Sequence, residues 1–456
     1  MKRFLITILF LGFIFACTQK STTANISDVS KIVAFQNVNL IPMNQEIVLK
    51  NQTVIIDGER IAGIGSASST KIPKGAKIVD GTGNYLMPGL SDLHVHIRDE
   101  SELVSYLFYG VTTVLNMRSS TDTLDLRGAA KTGKIVSPTI FAAGNLVDGD
   151  PPIWNNSIVV RNPKEAEQAV MRQKQEGYDF VKVYNRLAKP DYEAIIKTAK
   201  EKEIAVVGHI PRTIGAEYVL KSKQAMIAHG EEFFFTYFKG PTDSLNTKKN
   251  RPKPDESKIP VIARLTKSAE TAVTPNLSFV AATKQQLEDL DAIFSDPEMK
   301  YLTESVRQMW KKNNFSNRKD LKEFGEREKI KYPLIQKLTK SFSDTGVLLL
   351  LGTDASAPGL FPGKSAHLEL KELVKAGLTP FQALSTGTNN AGEFFDKHLR
   401  LREPFGTVEV GKRADLILLK RNPLKDINAI GSIRGTMVRG KWFTRIKLRK
   451  LRKTFE

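Results

Sequence analysis

Between residues 81 and 400, short apolar runs alternate with stretches whose apolar side chains recur at helical spacing. Eight runs are extended in character: Tyr85 to His96, Val111 to Leu115, Thr139 to Ala143, Phe180 to Tyr184, Ala205 to His209, Ala225 to His229, Ala272 to Pro275 and Val347 to Asp354. Each precedes a helical pattern such as Asp191 to Lys202 or Glu369 to Ala376. That alternation is how the βα units of a parallel sheet read. Eight units are the number that closes a (β/α)8 TIM barrel, and a doubly wound open sheet is the competing arrangement.

The chain ends read differently. Residues 31–80 hold short strands, Ile32 to Phe35, Thr53 to Ile56 and Ile61 to Ile64, with the turn Asp57-Gly58 between the last two. Residues 401–445 hold a second set, Gly406 to Glu409, Asp415 to Leu419 and Gly435 to Val438. Termini of compact domains commonly lie close together, so these half-sheets predict one small β-sandwich built from both ends of the chain. Within the barrel region, Glu231 to Asp344 is longer than one βα connection requires. Its lysine-rich stretches, Lys248 to Lys258 and Lys311 to Lys331, predict solvated helices and loops that roof one end.

Residues 1–17 start Met1-Lys2-Arg3 and continue apolar from Phe4 to Ala16, too short for a membrane span but suited to an export signal. Cys17 follows Ile14-Phe15-Ala16 and resembles the lipidated cysteine of a bacterial lipobox; an ordinary export signal with a chance cysteine is the alternative. Residues 18–30 are polar and read as a tether. The expectation is a lipid-anchored bacterial protein, periplasmic or at the cell surface.

Composition narrows the class. Of 456 residues, 41% are hydrophobic and 26% charged, which suits a globular chain and excludes collagen and disorder. The single cysteine excludes an internal disulfide and a thiolate metal site. A net charge of +19 raises attraction to polyanions, without implying a specific nucleic-acid partner. The tail, residues 446–456, continues a stretch from Lys441 to Lys453 in which Trp442, Phe443, Ile446, Leu448 and Leu451 mix with seven basic residues. That mixture suits an anionic membrane surface.

The candidate chemistry lies at strand ends. His94 and His96 end the first run, and strand alternation sends both imidazoles to one face, where they can grip a divalent metal. Lys182 lies inside an apolar run, His209 and His229 each end one, and Asp354 ends the last. Singly these have plain structural readings: a hydrogen-bonded core histidine, a lysine that snorkels, an aspartate that caps a helix. Jointly they converge, because the C-terminal strand ends of a closed barrel form one ring where active sites sit.

With Met87 to His96, Gly110 to Val114, Val207 to Pro211, Leu351 to Ala355 and Gly406 to Leu416 in that order, the chain resembles the amidohydrolase superfamily. The similarity is to imidazolonepropionase-like and prolidase-type metal-dependent hydrolases, and covers nearly everything after the tether. It implies a barrel beside a β-sandwich made from both chain ends, as the patterning does. It further implies two divalent ions, one bound by His94, His96 and Asp354, the other by His209 and His229. Lys182, as a carbamate formed with CO2, would bridge them. Nitrogen and oxygen ligands without thiolate suit Zn²⁺, and also accept Mn²⁺, Co²⁺ or Fe²⁺.

The implied reaction is attack on a carbonyl by a hydroxide shared between the metals, with Asp354 as general acid and base. The expected substrate is a small amide or peptide, such as a dipeptide or N-acyl amino acid. A lactone or phosphotriester hydrolase on the same site is an alternative, as is a surface lipoprotein that binds without turnover. Tyr184 either reaches substrate or packs in the core, and His367 either supports the site or contacts substrate, with helix capping or surface exposure as the alternative. Arg118 and Arg212, in loops after the second and fifth strands, are placed to clamp a substrate carboxylate or simply to face solvent. His398 reads as a surface residue, and a homo-oligomer is compatible with the sequence.

Overall fold

The computed structural model describes residues 31–238 and 253–455. The export signal, Cys17, the tether and the first part of the Lys248 to Lys258 stretch lie outside the described residues. Among the described residues no helix is long and apolar enough to cross a membrane.

Seven barrel strands are continuous ladders: Leu90–Val95, Val111–Asn116, Thr139–Ala142, Phe180–Val183, Ala205–Gly208, Met226–Ala228 and Ala272–Thr274. Neighbours pair in parallel, as with Val114 opposite Ile140 and Lys182 opposite Val207. A bridge between Ala143 and Phe180 joins the third strand to the fourth. The eighth position is filled by an extended segment rather than a regular strand. Bridges from Leu349 to Val273 and from Ala355 to Val95 close the ring, reinforced by Leu93 N donating to Leu351 O at 2.8 Å. The barrel is therefore closed, and the doubly wound alternative is excluded.

The strands are apolar throughout because both faces are covered. Helices pack outside, while Phe141 and Phe180 stack on Phe395 and Phe394 of the helix Asn389–Leu399. Helix starts follow local chemistry. Asn162 accepts from Glu165 N at 3.0 Å ahead of Pro163, and Thr379 caps Gln382 N at 3.1 Å ahead of Pro380.

One boundary differs from the sequence expectation. Tyr85 to His96 is two strands, not one: Tyr85–Pro88 pairs antiparallel with Leu416–Leu419 and parallel with Asn39 and Leu40, and only the part beyond Gly89 enters the barrel. The continuous apolar run hid this crossing because both sheets bury it. The resulting sheet joins the two chain ends, as expected for the β-sandwich, and the Phe35 and Trp442 rings meet edge-on at 5.0 Å.

The tail is also more deeply integrated than its composition suggested. Lys441–Thr444 is an edge strand and Arg445–Lys453 a helix, whose Leu448 is buried in a cluster with Leu107 and Phe108. The apolar residues thought to face a membrane are mostly spent on this packing, and only Ile446 stays largely exposed. His398, expected at the surface, is half-buried with its ring 4.8 Å from Phe394. Nor is the roof simply solvated. Trp310, Phe324 and Lys331 are buried there, and Phe315 stacks on Phe324 at 5.0 Å.

Candidate metal centre

The six ligand-capable side chains come together at the C-terminal mouth of the barrel. Nε2 of His96 lies 2.8 Å from Oδ1 of Asp354, and Nε2 of His94 lies 3.3 Å from the same oxygen. The ligand atoms of these three residues all fall within 4.8 Å of one another, a group able to hold one metal ion. The His94 ring lies 4.6 Å from that of His229, which is 5.0 Å from that of His209. Lys182 reaches in from the fourth strand, its Nζ 3.4 Å from His94 Nε2.

The backbone makes this gathering possible at identifiable points. A Cβ on Gly208 would stand 2.4 Å from Val183 O and 3.0 Å from Lys182 Cγ, so only glycine leaves room for the lysine stem beside His209. His229 and Asp354 both adopt left-handed backbone, with φ of 70° and 65°. Such conformations cost about 1–3 kcal/mol each and persist where the surroundings over-determine them. Asp92, buried beneath, fastens the first strand to the closing segment: it accepts from Thr353 Oγ1 at 2.6 Å, Thr353 N at 3.1 Å and His94 N at 3.3 Å.

Burial sets the charge states. It lowers the pKa of all four imidazoles, His96 and His229 to about 4, so each is neutral near pH 7 and offers a lone pair. Burial also brings Lys182 down to about 8. Burial opposes ionisation of Asp354, yet His96, His229 and Lys182 together hold it at about 2. The ring nitrogens His94 Nδ1 and His229 Nδ1 are buried without a hydrogen-bond partner among the described residues. Leaving such groups unmatched is unfavourable by about 1–3 kcal/mol. A cluster of neutral imidazoles with one carboxylate and a depressed amine is a donor set that fits divalent cations.

Sequence reasoning missed the network that orients His209. Glu232 is buried and accepts from His209 Nδ1 at 3.1 Å, Arg212 Nη2 at 2.9 Å, Asn185 Nδ2 at 3.2 Å and Ile210 N at 3.2 Å. Asn185 Oδ1, 3.0 Å from His209 Nδ1, is a second acceptor. Both neighbours accept, so the proton sits on Nδ1 and Nε2 keeps its lone pair. Burial opposes ionisation of Glu232, yet Arg212 and His209 hold it at about 2. A glutamate three residues past a strand-ending histidine was a signal, but proximity to His209 is a tertiary fact.

The remaining candidates separate. Tyr184 belongs to the site: its ring lies 4.2 Å from that of His209 and its hydroxyl accepts from Trp154 Nε1 at 3.0 Å. Arg118 stands 5.3 Å over the Trp154 ring, donates to Asn156, and is close enough to Lys182 for its charge to help lower that amine. Arg212 is partly committed: its Nη2 donates to Glu232 and its guanidinium stacks 4.3 Å over Phe235, while Nη1 is buried without a hydrogen-bond partner among the described residues. His367 is elsewhere. Its Nε2 donates to the Tyr109 carbonyl at 2.8 Å, just before the N-terminal end of the second barrel strand and opposite the mouth. Phe279 closes over the site from the roof, its ring 5.6 Å from His229.

A sequence model described as Amidohydrolase family matches residues 85–443. An adenine deaminase from Staphylothermus marinus is 39% identical over 92 residues, 18% of this chain and 15% of that protein. A dihydroorotase from Staphylococcus epidermidis is 42% identical over 55 residues, 11% of this chain and 12% of its own length. The chain thus spans only 15% and 12% of the lengths of these curated relatives. Among solved structures, bottromycin amidohydrolase superposes with a TM-score of 0.71 at 21% identity, covering 92% of this chain and 89% of that one. A Xaa-Pro dipeptidase with bound methionine in the active site gives 0.67 at 21% identity, over 91% and 100%. At such identities the likeness is one of fold, the TIM barrel with its companion β domain. With the family match running over most of the chain and the fold in agreement, the protein belongs to the amidohydrolase family.

Proposed function

We propose that this protein hydrolyses a carbon–nitrogen bond in a small amide or peptide, such as a dipeptide or N-acyl amino acid, with two divalent cations at the barrel mouth. The observation that carries the reading is the meeting of His94, His96, Lys182, His209, His229 and Asp354 within one cluster of contacts. His94, His96 and Asp354 would hold one ion and His209 and His229 the other, with Zn²⁺ the ion best matched to these donors. When bound, such a pair supplies Lewis acidity and a water acidified to near-neutral pKa.

The chain's own residues do the rest. The depressed amine of Lys182 is partly neutral at pH 7, so its nitrogen can add to the carbon of CO2. It loses one proton and leaves an N-carboxylate anion able to bridge two cations. Asp354, ionised throughout the physiological range, accepts the proton of the attacking water and returns it to the departing nitrogen. Glu232 and Asn185 keep His209 in the tautomer that presents Nε2. Tyr184, Trp154 and Phe279 exclude water and give a substrate side chain apolar surface to pack on.

Metal analysis of the purified protein tests the centre, and roughly two bound ions per chain are expected. Fewer than about one would favour binding without turnover. A panel of dipeptides, N-acyl amino acids, lactones and phosphotriesters then tests the bond type. Turnover confined to the esters would overturn the carbon–nitrogen assignment. The same reading puts the enzyme outside the cytoplasm, on a membrane through Cys17. Incorporation of labelled fatty acid in cells, lost in Cys17→Ala, checks that part.

A further inference from the structure

A second concave surface, unrelated to the metal centre, lies where the C-terminal strands meet the last helix. It has a volume of about 590 Å³ and is lined by Lys420, Arg434, Arg445 and Arg449, with no carboxylate among its lining residues. Sheet register explains the convergence. Lys420 follows the strand Leu416–Leu419, whose last residue pairs with Ile433; Arg434 is the next residue on that partner strand. The Gly435–Thr444 pairing then brings the start of the helix Arg445–Lys453 alongside. Three neighbouring elements at the C-terminal end therefore deliver four cations to one hollow.

These cations lack the neutralisation seen elsewhere on the surface. Among the described residues Lys420, Arg434, Arg445 and Arg449 form no ion pair, while nearby Arg421 pairs with Asp426 and Arg439 with Glu59. Arg445 is fixed in place, stacked on Phe108 and donating to its carbonyl. Burial and the charges of Arg452 and Arg449 hold Arg445 down to about 10, a sign that like charges crowd there. Thr444 Oγ1 accepts from Lys447 N at 3.2 Å, which leaves its own hydrogen available to a ligand.

We propose that this hollow is a binding site for a phosphate-bearing anion, held by the forks of Arg434 and Arg449 and the charges of Lys420 and Arg445. A phosphate suits it better than a carboxylate, because it carries up to two charges and enough oxygens for several guanidinium donors at once. At the rim, Ile446 is 66% exposed beside the cations. An apolar side chain next to basic ones matches the boundary between lipid headgroups and acyl chains, which favours a lipid phosphate over a soluble one.

The test uses the full chain and its Arg434→Glu/Arg449→Glu variant, both positions being exposed. Each is titrated with inorganic phosphate, and with vesicles of phosphatidylcholine alone or with one part in four phosphatidylglycerol. The expected result is binding about tenfold weaker in the variant, with hydrolase activity unchanged. Loss confined to phosphatidylglycerol vesicles assigns a lipid headgroup, and loss in the phosphate titration assigns a soluble ligand. Any phosphate or membrane affinity arising elsewhere on the chain is common to both proteins and cancels. Lys420→Glu, on a different element, repeats the comparison with a smaller loss should the double variant not fold. Equal binding by wild type and variants in every titration overturns the proposal.

Discussion

Two lysines are buried to the same degree, Lys182 at the barrel mouth with 2% exposure and Lys331 in the roof with 3%, yet they are held in opposite ways. Lys331 lies 2.5 Å from Glu231 and 2.7 Å from Glu328, and these carboxylates outweigh burial and raise its pKa. Lys182 has no carboxylate within ion-pair distance among the described residues, and burial lowers its pKa to about 8. The paired lysine ties the long helix Leu321–Thr345 to the loop after the sixth strand, two residues beyond His229. The unpaired one stays chemically available. Burial alone therefore does not mark a functional lysine; burial without a directly paired carboxylate is the distinguishing feature here.

The largest expected effect tests the mouth. Asp354→Asn should lower kcat by about a thousandfold or more while leaving the fold intact, because the side chain that carries the proton is lost. Steady-state rates with circular dichroism as the fold control check this, and an active variant would remove Asp354 from the chemistry.

Stability should separate the two lysines. Lys331→Met strands the buried carboxylate of Glu328 and the half-buried one of Glu231, and should cost about 3–5 kcal/mol in chemical denaturation. In metal-free protein, Lys182→Met should be neutral or stabilising, since it replaces a solitary buried amine with an apolar chain of similar length. Equal destabilisation by both would erase the distinction.

A third buried base sharpens the rule. Burial pushes His367 down to about 4, against about 6.5 when unfolded. Between those values the unfolded chain binds more protons, so stability is complete above about pH 6.5 and is lost as pH falls towards 4, by up to about 3 kcal/mol. His367→Gln should flatten that part of the stability curve measured by urea midpoints from pH 7.5 to 4.5. An unchanged slope would mean that His367 does not carry the dependence.

The smallest effect concerns the carboxylate behind His209. Glu232→Gln keeps the shape but loses the charge facing His209 and Arg212, and should weaken metal affinity by about 10- to 100-fold. Competition with a coloured chelator measures it, with wild-type affinity counting against an orienting role.

The eight βα units, the β domain shared by both chain ends and the six clustered side chains were legible before any coordinates. Strand periodicity and strand-end polar groups are local features, and barrel closure turns strand ends into a ring. Where the reading failed, a local pattern had two tertiary outcomes. Tyr85 to His96 is one apolar run in sequence and two strands in different sheets. His367 and His209 look alike as isolated histidines, but one donates to the Tyr109 carbonyl and the other faces Glu232. Nothing near Arg212 in the chain announces the Glu232 carboxylate that takes its Nη2.

Residue identity and spacing settle which side chains can do chemistry and roughly where along each strand they stand, because alternation and burial act over a few residues. Which charges are neutralised is settled by long-range folding. Lys182, Lys331, Arg212 and Arg434 are all cations within or beside ordinary elements, and only Lys331 has a partner within one helical turn, Glu328. Electrostatic partnership depends on distances of a few ångströms between segments far apart in the chain, and those distances are fixed only when the barrel closes and the two ends meet.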